Sequence, residues 1–169
     1  FQTGYKNLMD LAIIRRTEEA EAEADSDEDE AEEEEAVEEI EAAIEVENDL
    51  RSEIVTYALQ FVGNRYKYGG TNPNTGVDCS GFTSYVMRHA AEVELPHSSG
   101  GQSRMGRQVS SSEMRPGDII CYGSGKKINH VALYIGNGQI VHASTERTGI
   151  KVSRWNYRTP VRIVNVLGD

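Results

Sequence analysis

Two cysteines and four histidines hold most of the nucleophile and general-base chemistry available to this 169-residue chain. Cys79 stands in Asp78-Cys79-Ser80-Gly81-Phe82, directly after the turn-rich run 69–76. Apolar positions Phe82, Tyr85 and Val86 then recur at helical spacing. The pattern predicts that Cys79 opens a helix to about residue 91, with Asp78 near the cap. A helix start presents unpaired N–H groups and a partial positive charge, and both favour thiolate over thiol. A cysteine so placed is a candidate nucleophile; the competing reading is a small buried core residue. Cys121, inside the apolar run 118–122, reads as the latter, and two cysteines make no disulfide framework.

A thiol nucleophile needs a base within reach and a third group to orient that base. His89 lies ten residues into the Cys79 helix, about 15 Å along its axis, and reads as a surface or packing residue. His97 falls in a loop. His130 and His142 sit on the two arms of a hairpin around Gly136-Asn137-Gly138. A two-residue loop, Asn137-Gly138, would turn the two histidines to opposite faces. A three-residue loop would pair Ile135 with Gln139 and put both on one face, as diagonal neighbours roughly 7–8 Å apart or less. Gly138 suits the left-handed position of the three-residue loop and favours it. On that register Tyr134 shares the histidine face, and Leu133, Ile135 and Val141 point the other way. The expected constellation is then Cys79 as nucleophile, His130 as base and His142 as the group that orients it.

The elements that must carry these residues come in two blocks. Residues 51–62 read as an amphipathic helix stopping at Gly63-Asn64, the Cys79 helix follows, and 102–106 reads as one further helical turn after the loop 95–101. Strands are expected over 118–122, 130–135, 139–144, 149–155 and 161–167, with a loop at 123–127. Helices first and strands second, with short connections, give an α+β fold with an antiparallel sheet.

Charge divides the chain. Residues 1–50 carry 20 acidic and 3 basic side chains, a net of −17, whereas 51–169 carry 8 and 14, a net of +6. Two parts are expected, an acidic Glu/Ala-rich segment (1–50) and a mildly basic domain (51–169). The acidic run has no Gly or Pro after residue 16, so a helix is expected from about residue 36, frayed or disordered before it. Its apolar positions, 40, 43, 50, 54, 57 and 61, drift along one helical stripe. As a linker the segment only joins parts; as a lid it would contact a basic groove, and composition favours the linker. An apolar cluster at 8–14 and a strand at 1–5 would belong to something upstream, since a chain opening at Phe1 reads as a fragment. The sequence shows no run approaching a membrane span and no signal peptide. The basic residues are not clustered in a stripe with aromatics, which ranks nucleic acid low as a partner.

Four motifs in order carry a resemblance: Tyr66-Lys67-Tyr68-Gly69-Gly70 with Asp78-Cys79-Ser80-Gly81-Phe82; Leu95-Pro96-His97-Ser98-Ser99 with Gln102 and Gly106-Arg107-Gln108-Val109; Arg115-Pro116-Gly117-Asp118; and His130-Val131-Ala132-Leu133-Tyr134-Ile135-Gly136 with His142-Ala143. Over about residues 52–167 the chain resembles the NlpC/P60 family of cell-wall cysteine peptidases. The resemblance implies a papain-like α+β fold and hydrolysis of peptidoglycan stem peptides, typically at the γ-D-glutamyl bond to a diamino acid. It implies Cys79 as nucleophile, His130 as base and His142 as orienting residue. Tyr66 would line the site near the oxyanion, Asp78 and Ser80 would contact the stem peptide, and Ser98 and Ser99 would lie nearby. His97 departs from the Arg that many relatives carry at a peripheral contact. No metal or cofactor is required, a monomer is expected, and the implied place of action is secreted or at a bacterial cell wall. Two alternatives stay open: an N-acetylmuramoyl-L-alanine amidase or acyltransferase using the same Cys–His pair, and a non-catalytic wall-binding module.

Overall fold

The computed structural model describes residues 27–169. The strand expected at 1–5 and the apolar cluster at 8–14 lie outside the described residues. Helix α1 spans Asp27–Leu59, about 50 Å at the usual rise. It begins well before residue 36, so the frayed stretch expected over 27–35 is helical instead. Glu and Ala propagate a helix well, and acidic residues at its first turns complement the dipole. Burial sets in only near the end. Ile40 and Ala43 are exposed, Leu50 is half-buried, and Arg51, Ile54, Val55, Ala58 and Phe61 are buried. The apolar stripe is therefore a packing surface from Leu50 onward, and the 50/51 boundary falls inside one continuous helix.

Arg51 anchors that transition. Its guanidinium is fully buried and donates to Pro116 O at 2.7 Å, Asp118 Oδ1 at 3.1 Å and Asp169 Oδ1 at 2.5 Å. Beyond α1 the chain turns at Gly63, which donates its N–H to Ile150 O, while Ile150 donates back to Asn64 O. This stitch requires Gly149, with φ +66°, because a Cβ there would stand 2.3 Å from Asn64 O.

Next come two short strands, β1 (Thr71–Asn72) and β2 (Gly76–Val77), paired with each other, and helix α2 (Cys79–Ala91). The α2 end matches expectation; Glu92 closes it in the left-handed region at φ 55°. Helix α3 (Ser99–Ser103) starts earlier than the turn expected from 102. The rest is one antiparallel sheet of β3 (Arg107–Gln108), β4 (Ile119–Ser124), β5 (Lys127–Gly136), β6 (Gln139–Thr145), β7 (Gly149–Arg154) and β8 (Pro160–Asn165). The strand order is β3-β8-β4-β5-β6-β7. The loop expected at 123–127 shrinks to a tight turn at Gly125-Lys126, because both strands continue into it. Leu133, Ile135, Val141, Ala143 and Ile150 form one apolar cluster with Ile54, Ala58, Phe61, Phe82, Val86 and Met87 of the helices. The opposite sheet face clusters Ile120, Tyr122, Ala132, Tyr134, Ile140 and Ile163, covered by Met114 and Trp155.

Candidate active site

The β5–β6 hairpin decides where the histidines point. Its turn is the two-residue Asn137-Gly138, with φ 53° and 72°, and Gly136 pairs with Gln139. That corrects the expected three-residue loop. The Asn-Gly pair fits a turn needing positive φ at both positions. A bulge at Ile135 then moves the register by one, so Tyr134 pairs with Ile140 and Leu133 with Val141. The bulge restores the register that the longer loop would have produced, and His130 and His142 share a face. His130 Nε2 lies 2.7 Å from His142 Nδ1, both rings buried. His142 Nε2 in turn lies 2.9 Å from Ser153 Oγ on β7.

β5 and β6 pair only near their turn, and the ladder stops at Leu133 and Val141. Tyr134 donates its N–H to Asp118 O on the β4 side. By alternation, Val131 aims its N–H toward the β6 side, where no strand pairs with it. That N–H, with those of Ser80 and Cys79 itself, favours the thiolate form of Cys79, which packs on the cluster holding Val131. A thiol at the start of α2 thus sits at the opening between two diverging strands, beside the residue that follows His130.

Asp78 fixes this helix start. It is the N-cap, and its carboxylate accepts from Gly81 N–H at 2.8 Å, Gly69 N–H at 3.0 Å, the Ser80 hydroxyl at 3.4 Å and His97 Nε2–H at 2.8 Å. Gly81 leaves room for the loop below it, since a Cβ there would meet Gly70 O at 2.2 Å. Tyr66, half-buried, bridges to Val77 and so stands next to Cys79 in space. Ser80 is buried with its hydroxyl turned to Asp78. Ser98 is exposed and caps α3 by accepting from Gly101 N–H at 3.0 Å; Ser99, half-buried, opens that helix. His89 is exposed, stacked on Tyr85 at 4.0 Å between ring centroids, and Cys121 is fully buried in β4, as expected of each.

Three residues of the site were not singled out in the sequence, and Gln102 stood there in a motif without a role. Ser153 ends the His130–His142 chain. The Tyr157 ring, from the loop after β7, lies 5.3 Å from the His142 ring and 5.2 Å from the Tyr122 ring. Arg158 donates to Asn129 Oδ1 and lies over Tyr122. Gln102, fully buried, donates to Ser80 O at 2.8 Å and Pro96 O at 3.0 Å, locking α3 to the start of α2.

Burial governs the protonation states. It pushes the Cys79 thiol up, against the pull of the three N–H donors. The thiolate favoured by a helix start alone is therefore not the resting form. Burial lowers His130 to about 4, helped by Arg158, and lowers His142 to about 3, helped by His130 and Lys151. Both imidazoles are neutral near pH 7, so the hydrogen-bond chain must settle their tautomers. If Ser153 accepts from His142 Nε2–H, His142 Nδ1 accepts from His130 Nε2–H, and His130 keeps a free lone pair on Nδ1. Among the described residues no group of three or more His, Cys, Asp and Glu stands arranged to hold a metal ion, and no helix is long and apolar enough to cross a membrane.

A cysteine at a helix start, set against an antiparallel sheet that carries two hydrogen-bonded histidines, defines the class as an α+β protein of this architecture. The family model described as "NlpC/P60 family" matches residues 63–163, and the chain belongs to that family. It is 41% identical over 108 residues to the Escherichia coli protein named murein DD-endopeptidase MepS/murein LD-carboxypeptidase, covering 64% of this chain and 56% of that one. It is 42% identical over 98 residues to the probable endopeptidase p60 of Listeria seeligeri, covering 58% of this chain and 18% of that one. The chain thus spans little more than half of the first relative and under a fifth of the second. Among solved structures, the NlpC/p60 domain of the peptidoglycan hydrolase SagA superposes with a TM-score of 0.63 at 32% identity, over 68% of this chain and 97% of that one. The peptidoglycan hydrolase RipB of Mycobacterium tuberculosis gives 0.61 at 29%, over 70% and 65%.

Proposed function

We propose that this chain is a peptidoglycan hydrolase of the cysteine-peptidase type, working at the cell wall, with residues 51–169 as its catalytic domain. The bond we assign is that from γ-D-glutamate to the diamino acid of a stem peptide. The observation that carries the reading is the hydrogen-bonded run from Ser153 through His142 to His130, with Cys79 packed on the cluster that holds Val131, the next residue of the His130 strand. In the reaction, His130 Nδ1 takes the thiol proton as the Cys79 sulfur attacks the scissile carbonyl carbon. Backbone N–H groups at the start of α2, with Tyr66 beside them, stabilise the oxyanion. The imidazolium gives its proton to the leaving amine, the C–N bond breaks, and a thioester remains on Cys79. Water, deprotonated by His130, attacks the thioester and releases the acid and the thiol. His142 holds the tautomer throughout. Asp78 and Ser80 position the helix start, with His97, Ser98 and Ser99 at the rim on the stem-peptide side.

A second reading follows from the Escherichia coli relative, whose name carries a D,D and an L,D specificity: the same site would then cut at a D-alanyl bond. Incubation with purified muropeptides and mass analysis of the products separates the two. Cleavage between glutamate and diamino acid, abolished in Cys79→Ala, is the expected result. Separation of sugar from peptide would mean an amidase. Wall sedimentation with no cleavage, unchanged in Cys79→Ala, would mean a binding module.

A further inference from the structure

One concave feature of the surface takes no part in the chemistry above. It is an open cleft of about 500 Å³ between α3, the β4–β5 turn and β8. Arg104, Lys126, Lys127 and Arg162 line it, and no carboxylate does. Among the described residues none of these four makes an ion pair, whereas Arg51 and Arg115 are paired with Asp118 and Asp169. Arg162 also keeps its Nε–H buried with no acceptor. Cations gathered in a concavity without counter-charge are held at a cost in mutual repulsion, and a buried donor without an acceptor adds to it. An anion in the cleft would relieve the repulsion among the four cations.

The cleft is tied to the reactive centre. Its floor residue Ile128 packs on the same apolar cluster as Cys79. Ile128 is three residues along β5 from Val131, a member of that cluster, a separation of about 10 Å in a strand. Resting on the hydrolase reading, we propose that this cleft is a carboxylate subsite, which takes the free C-terminal carboxylate of a stem peptide two residues beyond the cut bond. Two extended residues span about 7 Å, and the long arginine and lysine side chains close the remainder. The cleft therefore reads the leaving half of the substrate: a stem ending in a free acid is preferred over one whose end is capped.

The test uses the full chain and two synthetic tetrapeptide stems that differ only at the terminus, free carboxylate against carboxamide. The wild type is expected to cleave the acid with a kcat/KM about tenfold higher, mainly through KM, as for a charge-assisted contact at a partly open site. The preference shrinks with added salt. In Arg104→Ala/Lys127→Ala the ratio falls to near one while turnover of the carboxamide is retained, which also shows that the variant folds. Calorimetric binding of both peptides to Cys79→Ala supplies a readout independent of turnover. Binding preference for the acid without cleavage by the wild type would fail the hydrolase reading and sustain the cleft. Equal kcat/KM for the two peptides, or a preference that survives the double variant, would overturn the cleft and leave catalysis standing. So would failure of Cys79→Ala to distinguish the peptides while poly(glycerol phosphate) binds, which would assign the cleft to wall-polymer phosphate instead.

Discussion

Replacing Ser153 with Ala removes the acceptor at the far end of the histidine chain and touches no group that meets substrate. His142 is 1% exposed, and its Nε2–H would lose the partner now 2.9 Å away. Leaving that donor unpaired costs about 1–3 kcal/mol. The ring escapes the penalty by moving its proton to Nδ1, but Nδ1 lies 2.7 Å from His130 Nε2. His130 must then accept there, and its own proton moves to Nδ1, the atom needed as base. A shift of about 1.4 kcal/mol in tautomer balance is a factor of ten. Ser153→Ala should therefore lower kcat on a soluble stem peptide about tenfold with KM little changed, and Ser153→Thr should restore most of it. Ring ¹⁵N shifts of His142 report the tautomer directly. Wild-type kcat in Ser153→Ala, with unchanged ring shifts, would refute the relay.

Stability should fall with acid in a window set by the same histidines. Both fold with a pKa below the ordinary 6.5, His130 at about 4 and His142 at about 3. The unfolded chain takes up protons first, so the stabilisation is complete above pH 6.5 and is lost as pH falls toward 4 and below. For His130 alone the shift corresponds to on the order of 3 kcal/mol. Urea unfolding at pH 7 and pH 4.5 should show the loss, and His130→Gln/His142→Gln should flatten it; an equal slope in the double variant would contradict the assignment. Arg51→Met should destabilise by about 3–5 kcal/mol, because it strands a buried Asp118 carboxylate. Arg51→Met/Asp118→Asn should recover a substantial part, and denaturant midpoints measure both.

Much of the site was legible because its signals are local. Asp78 capping the Cys79 helix follows from residue types a few positions apart, and strand alternation placed His130 and His142 on one face. The loop length was misjudged, since Asn137-Gly138 makes the tighter turn and the compensating bulge at Ile135 leaves no mark in composition. Ser153 was within reach: the alternation used for one hairpin, carried across the next, sets it diagonal to His142. Tyr157, Arg158 and Arg51 were not, because a loop ring, a loop cation and a buried ion pair between residues 51 and 118 are fixed by tertiary packing alone. The helical start of α1 at Asp27 was missed because a run of like charge reads as disorder, although Glu and Ala propagate helix well.

The most direct measurement is to trap the thioester. The full chain, mixed with a defined stem peptide, is quenched in acid during turnover and its mass determined intact and after digestion. An adduct equal to the acyl half of the substrate is expected on the fragment holding Cys79, absent in Cys79→Ala and formed at least a hundredfold more slowly in His130→Ala, roughly the contribution of a general base. An adduct on Cys121, or cleavage undiminished in Cys79→Ala, would contradict the account.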